Sequence, residues 1–192
     1  LTAILSTRDL YQPWDNQITP SFYKQFAKED NRTKVLAIGN PKFNQEKTYF
    51  NDELLVNFRA PITNEIMDIS MLPQLPETED EAKEIVKLFD QSDYLVSSDA
   101  NEENYLDLDK REYKYISFAT HALNVGELTN SDYSGLALTP SENNDGLLTA
   151  IEIASSPINA ELVSLAACST AAASKNDRDS LSGVVEGFIR AG

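Results

Sequence analysis

The amino-acid sequence predicts an α/β fold with a mainly parallel sheet and helices on both faces. The prediction rests on short apolar runs, typical of buried strands, that alternate with segments of helical apolar spacing. The clearest strand is at residues 162–167, a nearly all-apolar run of the kind that parallel sheets bury on both faces. The clearest helix is at residues 79–89, where the apolar residues are Ala82, Ile85, Val86 and Phe89.

Further strands and irregular segments are expected along the chain. Residues 1–6 are an apolar run, interpreted as a strand or as the tail of a preceding element, and residues 8–34 as loop with a short helix near 21–27. Strands are predicted at 34–39, 94–97 and 113–120, and an extended arm at 134–139. Gly39-Asn-Pro41 and Asp145-Gly146 are turn signals. Residues 42–76, with poor periodicity and several prolines, are interpreted as a surface excursion or insertion.

Capping signals predict where three further helices begin. Asp99-Ala-Asn-Glu102 and Thr149-Ala-Ile-Glu152 both resemble capping boxes, opening helices that run to about residue 108 and to a point before Pro157. Ser180 is expected to cap a helix over residues 181–191.

Composition excludes several classes of function. The chain has 192 residues and a formal net charge of −15, which argues against direct binding to nucleic acid or to an anionic membrane. It has one cysteine, so an internal disulfide and a Cys2His2-type zinc site are excluded, and a reducing, cytoplasmic compartment is expected. No apolar run is long enough to cross a bilayer. Neither Walker A nor Gly-x-Gly-x-x-Gly occurs, and we expect no metal or cofactor.

The only cysteine and the only histidine each follow a predicted strand. His121 comes after the run at 113–120, and Cys168, 47 positions later, comes after the run at 162–167. That separation leaves room for the crossover that joins parallel strands, whose carboxyl ends form the edge where ligands bind. A histidine there could take the proton of a cysteine thiol, and backbone N–H groups could hold an oxyanion.

Each of these residues also has a structural interpretation. A lone cysteine after an apolar run is commonly an inert core residue, and a lone histidine at a strand end is commonly a hydrogen-bonded structural one. Asp145 and Glu152 could read a substrate, but the turn and the capping box explain them, and we favour that structural role. The acidic run at 77–84 is most simply a solvated helix face.

Several segments, in order, resemble the motifs of the CHAT domain family, the caspase-like domain often found after tetratricopeptide repeats. The main ones are residues 115–121 (Tyr-Ile-Ser-Phe-Ala-Thr-His), 145–153 (Asp-Gly-Leu-Leu-Thr-Ala-Ile-Glu-Ile) and 160–170 (Ala-Glu-Leu-Val-Ser-Leu-Ala-Ala-Cys-Ser-Thr). Residues 36–41, Leu75-Pro76 with Glu81-Ala82, and residues 181–192 also fit. The resemblance covers residues 35–192, after a lead-in segment at 1–34.

The resemblance implies a caspase-like three-layer α/β sandwich with a Cys–His dyad. By position, His121 is the base and Cys168 the nucleophile, and the backbone N–H groups of Ala122 and Cys168 would hold the oxyanion. The family usually has glycine where Ala122 stands, so the loop geometry there could differ if the position requires a positive φ. Family members also continue with more strands and helices, so the domain at 35–192 is expected to be truncated at its C-terminus.

The resemblance therefore favours a cysteine endopeptidase that cuts a protein substrate. Its activity would be regulated by appended domains of the parent protein, such as tetratricopeptide repeats, or by a complex. One alternative is a catalytically silent CHAT domain that acts as an interaction or scaffold module. Another is a flavodoxin-like ligand-binding domain, which shares the alternating pattern but predicts no paired cysteine and histidine.

Overall fold

The computed structural model describes residues 3–5, 31–43, 68–125, 128, 132–166 and 180–192, with the backbone alone at 3–5 and 180–182. The helix predicted near 21–27 and most of the predicted excursion at 42–76 lie outside the described residues. The division between a lead-in segment at 1–34 and a domain at 35–192 stays a prediction.

The described residues form eight strands and four α-helices. The strands are β1 (Ala3–Leu5), β2 (Val35–Pro41), β3 (Asp93–Ser97), β4 (Tyr115–Ala119), β5 (Ala122–Leu123), β6 (Gly135–Ala137), β7 (Leu147–Thr149) and β8 (Leu162–Leu165). The helices are α1 (Pro76–Lys87), α2 (Glu102–Asp107), α3 (Ala150–Ala154) and α4 (Ser180–Ala191), and short 3-10 helices cover Ile69–Met71 and Lys110–Glu112. None of these described helices is long and apolar enough to cross a membrane.

The main sheet has five strands in the order β1-β8-β4-β2-β3. Strands β8, β4, β2 and β3 are parallel, and β1 pairs antiparallel with β8 at one edge. The prediction of an α/β fold with a mainly parallel sheet is therefore confirmed.

One face of this sheet packs against α2, α3 and α4. It presents apolar side chains in register from three strands, at Leu36 and Ile38, Ile116 and Phe118, and Val163 and Leu165. At its centre the Phe118 ring contacts Tyr105 of α2 and Phe188 of α4, with ring centroids 5.5 and 5.6 Å apart. These side chains are almost fully buried and form the larger core.

The opposite face packs against α1, so helices cover both faces as predicted. Gly39 of β2 lies so close to the first turn of α1 that a Cβ there would collide with the Thr78 carbonyl oxygen. Beyond the helix, Phe89 packs on Tyr115 of β4. The strand at 162–167 was predicted to be buried on both faces, which is wrong. Val163 and Leu165, on the face of the larger core, are buried, whereas Leu162 and Ser164, on the face that carries α1, are only half-buried.

A second, antiparallel sheet of three short strands, β5-β6-β7, was not predicted. Residues 135–137 of the expected extended arm form its central strand, β6. The sheet contributes Leu123, Ala137 and Leu147 to a separate small core that also includes Phe43 and Leu72. This core lies directly beyond the end of β4, because β5 begins three residues after that strand.

The first residues of the helices test the capping signals predicted from the sequence. Both bonds of the predicted box at Thr149 and Glu152 are present, so that prediction is confirmed. The box predicted at Asp99 is wrong, because α2 begins at Glu102 and its cap is Asn101, whose side chain accepts from the Asn104 N–H. Helix α1 begins at Pro76, three residues before the predicted start, since proline is well suited to the first turn. Helix α4 includes Ser180 as its first residue instead of beginning after it.

Candidate functional site

The strands that precede the candidate dyad are neighbours in the sheet. Phe118 of β4 is opposite Leu165 of β8, and just past the pairing the N–H of Ala166 donates to the Phe118 carbonyl oxygen over 2.8 Å. His121 follows β4 after one intervening residue, Thr120. Cys168 follows β8 but lies outside the described residues, so its contact with His121 stays a prediction.

The His121 ring is held by one backbone carbonyl group. Its Nε2 atom is 2.8 Å from the carbonyl oxygen of Pro73, in the segment before α1. A carbonyl oxygen can only accept, so Nε2 must carry the proton in this bond. In the neutral ring Nδ1 is then unprotonated and able to accept a proton, the tautomer that a general base needs.

The surroundings of His121 favour its neutral form. The residue is 3% exposed, and its ring packs against Phe43 with centroids 5.5 Å apart. Burial lowers the pKa of His121, while the bond to Pro73 and the nearby charge of Glu77 act in the opposite direction. Burial, the largest of these effects, therefore favours the neutral form of His121, with Nδ1 as its free acceptor atom.

Ala122 has backbone geometry that an alanine adopts without strain. Its φ is not positive, in contrast to Asn40 and Ser97, so the position does not require glycine. The N–H of Ala137 donates to the His121 carbonyl oxygen over 2.8 Å. In an antiparallel ladder, residue pairs that exchange hydrogen bonds alternate with pairs that do not. His121 and Ala137 are a hydrogen-bonded pair, so the next pair, Ala122 and Leu136, is not. The Ala122 N–H therefore points away from β6. Ala122 is fully buried.

A network of side chains anchors the segment that carries the Pro73 carbonyl. The Gln74 Nε2 group donates to Asn40 Oδ1 over 2.8 Å and also to the Pro41 carbonyl oxygen. Asn40 has a φ of 47°, and its Nδ2 group donates to Glu79 Oε2 over 2.8 Å. The sequence does not predict this network, because Gly39-Asn-Pro41 indicates a turn and the Pro73 carbonyl belongs to the backbone, which is the same for every residue type.

Three further carboxylates, on or next to α2 and α3, have structural partners. Asp145 accepts from the Leu147 N–H over 2.9 Å, and Glu152 accepts from the N–H and hydroxyl of Thr149, as the structural interpretation predicted. Glu102, which the sequence analysis placed in a capping box, is instead 1% exposed and accepts from the Gly146 N–H over 2.7 Å. Burial raises the pKa of Glu102 to about 7, and the charges of Glu152 and Asp145 add to that effect.

One surface cavity of the described structure does not belong to this site. It is lined by Glu152 of α3 and by residues 106–111 and 155–157, and the latter two segments precede β4 and β8, so they lie at the amino edge of the sheet, opposite His121. No three His, Cys, Asp or Glu side chains of the described residues come together in a way that could hold a metal ion.

Comparison with known families gives a match over nearly the whole chain. The family model of the CHAT domain matches residues 3–192. No match was found among curated proteins. The family is caspase-like, which is compatible with a peptidase function and agrees with the parallel sheet covered by helices on both faces. The chain therefore belongs to the CHAT domain family.

Proposed function

We propose that this chain is a cysteine endopeptidase domain, with Cys168 as nucleophile and His121 as general base. The observation that carries the proposal is the hydrogen bond from His121 Nε2 to the Pro73 carbonyl oxygen, which leaves Nδ1 as the proton acceptor. The position of His121 adds support, because it follows the strand next to the one that leads to Cys168. In the sequence Cys168 comes two residues after Ala166, whose N–H donates to the Phe118 carbonyl oxygen of β4.

In the proposed reaction His121 Nδ1 takes the proton of the Cys168 thiol, and the sulfur attacks the carbonyl carbon of a peptide bond. The tetrahedral intermediate collapses when its C–N bond breaks, and the protonated His121 gives its proton to the leaving amine. A water molecule then attacks the thioester carbon, with His121 taking the water proton. The C–S bond breaks, the carboxylic acid product leaves, and the proton returns to the thiolate.

The charge on the substrate oxygen needs hydrogen-bond donors. In the proposal these are the backbone N–H groups of Ala122 and Cys168. Support for Ala122 comes from the ladder register, which directs its N–H away from β6, and from its unstrained φ. One such donor typically contributes about 3 kcal/mol to transition-state stabilisation.

The test is cleavage of a randomised peptide library by the chain and by variants of the dyad. Cys168→Ala removes the nucleophile. His121→Gln retains a side-chain donor that can bond to Pro73 but supplies no base, and Ser155→Ala, an exposed position on the opposite edge, is the control. We expect both dyad variants to lose at least about 100-fold in rate and the control to match the wild type. Cleavage that survives Cys168→Ala would refute the assignment.

The proposal extends to the setting in which the chain acts. Its substrate is a protein, its activity is controlled by appended domains, such as tetratricopeptide repeats, or by a complex, and it works in the cytoplasm. Direct binding to nucleic acid or membrane is not part of the proposal, because the net charge of −15 repels both.

The second candidate is a catalytically silent CHAT domain that serves as an interaction or scaffold module. The observation that favours it is burial, since His121 is 3% exposed and Ala122 fully buried, which limits access of a substrate to both. A peptide acyloxymethyl ketone, which alkylates an activated cysteine, separates the two. Labelling of Cys168 that His121→Gln abolishes supports the peptidase. An intact chain that neither cleaves peptides nor labels supports the scaffold.

A further inference from the structure

We propose that Gln74 is a positioning residue that holds the Pro73 carbonyl group on His121 and so fixes the tautomer of the only histidine. This inference deepens the proposed peptidase function and rests on it. It concerns the geometry of the base and not a residue that touches substrate.

The segment between the 3-10 helix and α1 depends on side chains for its position. Pro73 has no N–H group, so it cannot anchor itself as a backbone donor. Its neighbour Gln74 supplies the connection to the sheet, because its amide group donates to both Asn40 and Pro41 at the end of β2. The Pro73 carbonyl oxygen, 2.8 Å from His121 Nε2, is therefore positioned from a strand next to β4.

The acceptors of Gln74 are themselves held in place. Asn40 has a left-handed φ of 47°, uncommon for a residue other than glycine, and its N–H donates to Thr78 Oγ1 over 2.7 Å. The Thr78 hydroxyl in turn donates to the Leu75 carbonyl oxygen over 2.8 Å. The segment from Pro73 to Leu75 is thus tied to β2 through Gln74 and to the first turn of α1 through Thr78.

Glu79 provides the outer support of this network. Its Oε2 atom accepts from Asn40 Nδ2 over 2.8 Å and from the Ser97 hydroxyl over 3.0 Å, which joins the ends of β2 and β3. With its Nδ2 group engaged by Glu79, the Asn40 amide must present its oxygen to Gln74. The orientation of every group from Glu79 to the His121 ring is therefore determined by donor and acceptor type.

Gln74 is suited to an experimental test because it is exposed, whereas the groups that it connects are not. Substitutions at exposed positions that avoid the core seldom unfold a protein. Gln74→Met retains the length of the side chain and removes the donor. Gln74→Lys, in contrast, keeps a side-chain donor, so it should still be able to bond to Asn40 and Pro41. Glu81→Met, an exposed position of α1 outside the network, is the matched control.

The direct measurement is NMR of the imidazole group, which is unambiguous because the chain has one histidine. The readout is the exchange rate of the Nε2 proton at a pH where the ring is neutral. We expect exchange about tenfold faster in Gln74→Met, and close to the wild-type rate in Gln74→Lys and Glu81→Met. An unchanged rate in a folded Gln74→Met chain would overturn the inference, as would an equal increase in Glu81→Met.

Peptide cleavage provides the second measurement and separates the two proposals. If the peptidase function holds, Gln74→Met should lower kcat about tenfold with KM nearly unchanged, because in this proposal Gln74 acts through the His121 base and not through substrate binding. Faster proton exchange in Gln74→Met together with an inactive wild type would support the positioning role and contradict the peptidase. An active wild type whose kcat and proton exchange are both insensitive to Gln74→Met would contradict the positioning role alone.

Discussion

Glu102 makes the stability of this fold depend on pH, and replacing it by glutamine should remove much of that dependence. The carboxyl group is 1% exposed, accepts from the Gly146 N–H and has a pKa raised to about 7 from an ordinary value of 4.5. Burial is the main cause, with the charges of Glu152 and Asp145 adding to it. Among the described hydrogen bonds and ion pairs, no cation pairs with it.

The direction in which stability changes with pH follows from proton binding. Between pH 4.5 and 7 the folded chain keeps a proton at Glu102 that the unfolded chain has lost, so this carboxyl group lowers stability as pH rises through that window. A difference of about 2.5 pKa units, at 1.36 kcal/mol per unit, gives a cost of about 3 kcal/mol when the group is ionised at pH 8. Glu102→Gln has nearly the same shape, retains an oxygen acceptor for Gly146 and carries no charge.

The assay is urea unfolding at pH 4.5 and at pH 8, followed by circular dichroism. At pH 8 the Glu102→Gln variant should be about 2 to 3 kcal/mol more stable than the wild type, and at pH 4.5 the two should agree within about 1 kcal/mol. Glu103→Gln makes the same charge change at the next, exposed position of α2 and should leave the difference between the two pH values unchanged. A Glu102→Gln chain no more stable than the wild type at pH 8 would refute the argument.

Other predictions follow from the described contacts. Gly39→Ala should lower the free energy of unfolding by about 2 to 3 kcal/mol in urea titrations, because its Cβ meets the Thr78 carbonyl oxygen of α1, and a wild-type midpoint would contradict that close approach. Thr149→Ala should cost about 1 kcal/mol in the same assay through loss of the cap of α3, whereas no loss would mean that the capping bonds do not contribute. The NMR titration midpoint of His121 should lie below its ordinary 6.5, because burial opposes protonation, and a midpoint above 6.5 would show that Pro73 and Glu77 outweigh burial.

The sequence predicted the parallel sheet because its strands carry a strong physical signal. Each is an apolar run long enough to stand out, and β8 in particular follows the expectation even though only one of its faces is fully buried. The capping box of α3 was predictable because both of its bonds are made within four residues. Signals of this kind are local, and local signals determine most of the helices and strands described here.

The features that the sequence did not predict depend on contacts between distant residues. Strands β5, β6 and β7 have only two or three residues each, too few for an alternating pattern to be recognised. Glu102 accepts a hydrogen bond from Gly146, 44 positions away, and the His121 ring is bonded to Pro73, 48 positions away. The two residues of the candidate dyad can be predicted from residue type and from their positions after strands. The hydrogen bonds that select the tautomer of His121 cannot.

The antiparallel pairing of β1 with β8 has a consequence for how the chain folds. Ala3 is opposite Leu165, 162 positions later, so this contact closes a very long loop. Contacts of such long range form slowly, since the entropy of the intervening loop must be lost first. During synthesis on a ribosome, β1 emerges before β8 and must wait for it before the two can pair, so the sheet beside the strand that leads to Cys168 is completed only then.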